Sequence, residues 1–190
     1  MDEIPLSVLI GTLIFLIFVS GFFSGSETGL MSLNRYRLRH LADKKHKGAL
    51  RAQRLLDQPE KLIGLILLGN NFVNILASAI ATIIGLRLLG EAGIAVATGI
   101  LTFVILIFAE VTPKTIAALH PERFALPSSL ILSPLLKLLY PVVWIINQLT
   151  AGIFKLLGVR SKEGTNLKLS LIHISEPTRP NAPSRIPSSA

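Results

Sequence analysis

Ile4-Pro-Leu-Ser-Val-Leu-Ile-Gly-Thr-Leu-Ile-Phe-Leu-Ile-Phe-Val-Ser-Gly-Phe-Phe-Ser-Gly-Ser26 runs without a charged residue. An α-helix needs roughly 20 apolar residues to cross about 30 Å of hydrocarbon, and this stretch supplies them. A cleaved secretory signal starts basic and has a shorter apolar core. Here Asp2 and Glu3 precede the run, so it reads as an uncleaved span. Two further runs follow, Leu62–Leu86 and Ala92–Ala109, the last at the short end. The expected fold class is therefore all-α integral membrane, with three transmembrane helices.

The bulk composition agrees. Of the 190 residues, 51% are hydrophobic and only 16% are charged, against about 25% in soluble domains. There is no cysteine, which excludes disulfides and thiolate metal sites. A net charge of +8 would fit nucleic acid as a partner, but the cations stand beside apolar runs, which is the pattern of membrane topology. They also lack the interleaved aromatics that stack on bases, so no nucleic acid is expected. Anionic lipid heads are the simpler counterpart.

Residues 35–61 hold Arg35, Arg37, Arg39, Lys44, Lys45, Lys47, Arg51, Arg54 and Lys61 against Asp43, Asp57 and Glu60. The positive-inside rule puts this loop in the cytoplasm and the N-terminus outside. The Gly90–Gly93 turn is then outside, and Lys114 and Arg123 are inside again. Leu38, Leu41, Leu50, Leu55 and Leu56 are spaced for short amphipathic helices at the membrane surface. The localisation that follows is a multi-pass protein of the cell membrane.

Beyond His120, Leu126–Leu157 is apolar but interrupted by Pro127, Pro134, Lys137 and Pro141. Two readings are open: a fourth span from about Leu138 to Leu157, or a kinked helix along the inner interface. Lys137, Tyr140, Trp144 and Lys155 suit the interface. Ser170–Ala190 is rich in proline and serine and shows no hydrophobic period. Its start, Ser170-Leu-Ile-His-Ile-Ser-Glu-Pro-Thr-Arg-Pro180, is similar to translated sequencing adapter, so residues 161–190 are expected to be a disordered, non-native tail. The expected division is 1–123 for the membrane core, 124–160 for a juxtamembrane region and 161–190 for the tail.

Polar groups within a bilayer are costly and face the bundle interior or a water path. Each span carries some. In the first, Gly21, Gly25 and Gly29 form a small-xxx-small face for close helix approach, and Ser20, Ser24 and Glu27 share a face. The glycines also weaken the helix, leaving room for local unwinding. In the second, Gly69-Asn70-Asn71-Phe72-Val73-Asn74 places Asn70, Asn74 and Ser78 in one stripe. In the third, Phe108-Ala109-Glu110-Val111-Thr112-Pro113-Lys114 puts a proline where it cannot donate to the Ala109 carbonyl. That carbonyl and the Glu110 carboxylate together suit a cation. The alternatives are plain helix packing, interhelical hydrogen bonds, and a Glu110–Lys114 pair.

Hydroxyls, amides, carbonyls and carboxylates are all oxygen ligands, and no histidine or cysteine lies in the three runs. Such a set favours hard cations: Mg²⁺, Ca²⁺ or Na⁺. An intramembrane serine enzyme, with Ser24 or Ser26 as nucleophile, needs a nearby base. No His or Lys lies in the runs and HExxH is absent, so no enzyme is expected.

At these three motifs, in order and spacing, the sequence resembles the transmembrane module of the CNNM/CorC family of magnesium transporters, over about residues 1–160. The resemblance implies three transmembrane helices per protomer of a homodimer, short cytoplasmic helices after the first span, and a juxtamembrane helix after the third. It implies Mg²⁺ export, with Na⁺ as the coupling ion. By motif, the metal ligands would be Ser24, Asn70, Asn74 and Glu110, with the backbone of Gly69 and Ala109, or of the Gly25 region, as further candidates. Gly21, Gly25, Gly29 and Pro113 would serve packing and gating. Ala109 stands where the family often has glycine. Family members continue into a nucleotide-binding pair of CBS domains, which nothing after Gly158 resembles, so nucleotide binding is not expected in this chain. The alternative is a non-transporting membrane anchor or ion sensor for a cytoplasmic regulatory domain.

Overall fold

A computed structural model describes residues 4–156. The order is α1 (Leu6–Met31), α2 (Arg35–Asp43), α3 (Lys47–Leu56), α4 (Pro59–Leu89), α5 (Glu91–Val104), a π-helical segment (Ile105–Val111), α6 (Thr112–Leu119) and α7 (Pro121–Leu156). There is no strand among the described residues. The contacts described below lie within the compact unit Met1–Thr150. The expected tail, 161–190, lies outside the described residues.

Local chemistry sets the helix ends. The Asn34 side chain accepts from the backbone N–H groups of Tyr36 and Arg37 and starts α2. His46 Nδ1 accepts from Ala49 N and starts α3. Pro59 opens α4, where its absent N–H costs nothing. Gly90, at φ +65°, turns the chain from α4 into α5, in a region that side chains avoid.

The bundle is inside-out relative to a soluble protein. Large apolar side chains face outward, with Phe18 74% and Phe103 68% exposed. Inside α1, Ser20 and Ser24 are each only 1% exposed. Hydrocarbon is the solvent that suits such a surface. The chain is a multi-pass membrane protein.

α1 packs against α4, the π segment and α6, and α4 packs against α5. The glycine face is used as expected. Gly21 meets the Phe108 carbonyl and Pro113, Gly25 meets the Phe124 ring, and Gly29 meets Phe124 and the backbone of Ala125. The expected local unwinding does not occur, because α1 is continuous from Leu6 to Met31. Close packing compensates the weak helix propensity of its glycines.

By length and apolarity four helices can cross a membrane: Leu6–Met31, Pro59–Leu89, Glu91–Leu119 and Pro121–Val142. The three expected runs are the first three. The fourth lies in the first part of α7, upstream of most of 138–157, a stretch only partly described. α7 runs through Pro127, Pro134 and Pro141. These prolines are seven residues apart, about two turns, so the lost N–H groups fall along one side of the helix.

α7 leans on the basic end of the bundle. Ser129 Oγ lies 2.7 Å from the Leu126 carbonyl of its own helix and 3.2 Å from the Gly48 carbonyl of α3, which share its one proton, and Glu122 pairs with Arg37 of α2 at 2.6 Å. Lys61, in the first turn of α4, lies 5.0 Å from the centre of the Tyr140 ring. Leu38, Leu55 and Leu56 of α2 and α3 are buried in the same core as Ala125 and Leu132 of α7.

Candidate cation site

Three spans contribute to one polar cluster. Ser24 Oγ on α1 donates to Glu110 Oε2 at 3.0 Å. Asn70 Nδ2 on α4 donates to Glu110 Oε1 at 3.0 Å. Lys114 Nζ, one turn beyond Glu110, lies 2.7 Å from Oε2. The carboxylate thus has donors on both oxygens, as a charge held in an apolar bundle must.

The bond to Glu110 fixes the orientation of Asn70, and its oxygen therefore faces α1. There Ser20 Oγ lies 2.8 Å from Asn70 Oδ1 and 2.7 Å from Asn74 Oδ1. A hydroxyl has one proton, so it donates to one of these amides at a time. With Asn70 held by Glu110, Ser20 serves Asn70, and rotating the Asn74 amide by 180° lets it donate back. Ser20 and Ser24, one turn apart, therefore connect α1 to both neighbouring spans.

The backbone around Glu110 departs from the α register. From Ile105 to Val111 the helix is π, with Thr112 N–H donating to the Ile107 carbonyl five residues back. In this register Pro113 is due to serve Phe108, and it has no N–H. Pro113 stands where the register returns to α, so it can serve neither the Phe108 carbonyl five residues back nor the Ala109 carbonyl four back. Phe108 O faces α1 at Gly21, 3.3 Å from where a Cβ would stand. A side chain there would crowd it, which gives Gly21 its place.

Residues 11–174 match the Cyclin M (CNNM) transmembrane N-terminal domain. The chain belongs to the CNNM family. Among its relatives, the UPF0053 inner membrane protein YfjD of Escherichia coli K12 is 57% identical over 143 residues, 75% of this chain and 33% of its own length. A UPF0053 protein of Haemophilus influenzae is 54% identical over 160 residues, 84% of this chain and 38% of its own length. The chain thus spans little more than a third of these curated relatives. More distantly, the polyamine export protein of Salmonella typhimurium is 28% identical over 172 residues, 76% of this chain and 35% of its own length.

Within this CNNM domain the structure brings Ser24, Asn70, Asn74 and Glu110 into one network. Gly69 has a different use. A Cβ there would lie 2.6 Å from the Phe23 ring, and α4 is continuous through it, so its carbonyl is engaged by the helix itself. Ala109 is fully buried. Glu27 is half-buried and stands outside the network. Ser78 lines a cleft of about 290 Å³ that ends at Glu110, with Thr98 and Thr102 of α5 opposite.

One member carries more than its spacing assigned it: Ser20 was legible only as one of three residues on a face, yet it bridges two amides. The Glu110–Lys114 pair, offered by the i, i+4 spacing as an alternative to an ion site, is formed. Ser26 Oγ is buried without a hydrogen-bond partner among the described residues.

Proposed function

We propose that this CNNM domain carries a cation across the membrane through the cluster around Glu110, with Mg²⁺ as cargo and Na⁺ entry driving its export. The observation behind this reading is one polar network that joins side chains of three spans and includes the Glu110 carboxylate. Ser24, Asn70, Asn74 and Glu110 would hold the ion, with Ser20 positioning the amides. The donor type fits a hard cation. Among the described residues no three His, Cys, Asp or Glu side chains come together, so Glu110 supplies the charge and neutral dipoles supply the rest. The Phe108 and Ala109 carbonyls, which Pro113 cannot serve, are the backbone candidates beside them. The protein would act as a homodimer, with the basic loop and α7 on the cytoplasmic face. The contacts of α7 with α2, α3 and Lys61 favour its juxtamembrane position.

Calorimetry of Mg²⁺ binding to the purified chain in sodium-free buffer tests this against Glu110→Gln. Expected is saturable binding in the parent and at least a hundredfold weaker binding in the variant, about 2.7 kcal/mol. Equal binding by both proteins would remove Glu110 from the site. A folded parent that binds no ion would leave an anchor or sensor role.

A second reading has its own observation. Glu110 already holds a primary ammonium, that of Lys114, and one relative is named a polyamine export protein. The cargo is then an organic polycation. Spermidine displacing bound Mg²⁺ at equal concentration would favour it, and indifference to spermidine would exclude it.

A further inference from the structure

We propose that the Lys114 ammonium is a tethered substitute for the cargo, occupying the cation position on Glu110 between ions and leaving when one binds. This deepens the cation-carrier reading and rests on it. The geometry carries the argument. Lys114 Nζ and Ser24 Oγ both lie on the same oxygen, Glu110 Oε2, at 2.7 and 3.0 Å. A dehydrated Mg²⁺ takes a carboxylate oxygen at about 2.0–2.1 Å. An ion at that distance and an ammonium on one oxygen repel each other strongly in a low-dielectric bundle. One of the two has to go.

Lys114 is built to go. Its side chain is 44% exposed while that of Glu110 is 23% exposed, so the ammonium reaches in from the outer edge of the cluster. A lysine is a point charge on a flexible stem with no fixed fork to unmake. It sits on α6, one turn past Glu110, where the π segment ends. Its departure requires no helix to move.

The substitution has two consequences. A carboxylate left bare in the bilayer is expensive, and the lysine keeps Glu110 neutralised while the carrier changes face without cargo. It also weakens ion binding, because every arriving ion displaces an existing pair, and so it speeds release. A monovalent ion replaces the ammonium charge for charge. A divalent ion brings one excess charge, which the amide and carbonyl oxygens of the cluster have to accommodate.

The test uses the full chain and calorimetric Mg²⁺ binding. Lys114→Met, which keeps the stem and removes the charge, should bind Mg²⁺ about tenfold tighter, equivalent to about 1.4 kcal/mol. Lys114→Arg should bind no tighter than the parent. Arg123→Met removes the same charge from the next helix and should change affinity less than twofold. In a Glu110→Gln background the gain from Lys114→Met should vanish. Reconstituted Lys114→Met should release its ion more slowly. A parent that binds while Lys114→Met binds equally or more weakly overturns the lysine proposal alone. A matching gain in Arg123→Met reduces it to a general charge effect and also overturns it. A parent that binds no Mg²⁺ removes the carrier reading and this proposal with it.

Discussion

The two ends of the same helices solve the same packing problem with opposite chemistry. Around Glu110, glycines let α1 approach the third span, and hydroxyls reach across to neighbouring helices: Ser20 to the Asn70 and Asn74 amides, Ser24 to Glu110. Around the α4–α5 turn, Gly85 and Gly93 bring two backbones together, and the hydroxyls between that turn and Glu110 turn back on their own helices. Thr82 donates to Ser78 O, Thr98 to Ile94 O and Thr102 to Thr98 O, each four residues back. A hydroxyl that donates to its own helix ties no second helix to it, whereas one that donates across joins two spans. The gap at the second end is correspondingly apolar, a cavity of about 220 Å³ lined by Leu13, Ile17, Leu88 and Val96 among others. Small residues alone make packing, and only crossing polar groups make a site.

The contrast breaks most visibly at the apolar end. A Cβ on Gly93 would run into the Gly85 carbonyl, and backbone yields less than a side-chain tip. Gly93→Val should lower stability by roughly 3 kcal/mol, read as a large fall in thermal midpoint, and the residual folded protein should keep its ion affinity. If folding were untouched, the α4–α5 approach would be looser than described.

At the polar end the effect on stability should be smaller and the effect on binding larger. Ser20→Ala removes a bridge between two spans. Hydrogen bonds between membrane helices average about 0.6 kcal/mol and reach about 1.7, so a stability loss of about 1 kcal/mol is expected. Mg²⁺ affinity should fall about tenfold, or about 1.4 kcal/mol, because Asn70 and Asn74 lose the group that aligns them. Affinity unchanged in a stable variant would make Ser20 a packing residue only.

The smallest effect belongs to the back-bonded threonines. Thr98→Val keeps the shape and deletes a hydroxyl that serves only its own helix. Stability should change by less than about 0.5 kcal/mol, and Mg²⁺ affinity should not change measurably. Because Thr98 also lines the cleft leading to Glu110, slower transport with unchanged affinity would make that cleft the ion's route.

Most of the membrane organisation was legible in order along the chain. Charge-free runs mark the spans because hydrocarbon tolerates little else, and the glycine spacing marks a contact face because close approach needs a missing Cβ. The second amide stripe and the Glu-Val-Thr-Pro-Lys end could be named as ligand-bearing for the same reason: unpaired polarity is costly in a bilayer. For α7 the residues left two readings open, a fourth span and a kinked interfacial helix. Prolines are usually read as breaks, but at seven-residue spacing they fall on one side, and contacts with α2, α3 and Lys61 hold the helix.

What the sequence determined by itself was the class of protein, the glycine face of α1 and the residues that bring polar groups into the spans, because these depend on composition and on the period of a helix. The tertiary structure decided which oxygens meet. The π register added the Phe108 carbonyl to that of Ala109 as a group Pro113 cannot serve, since it counts five residues per bond rather than four. The fold also put Gly69 against the Phe23 ring and made Ser20 the bridge between two amides. Each of these is a distance between helices or a shift of register within one, which linear spacing does not specify.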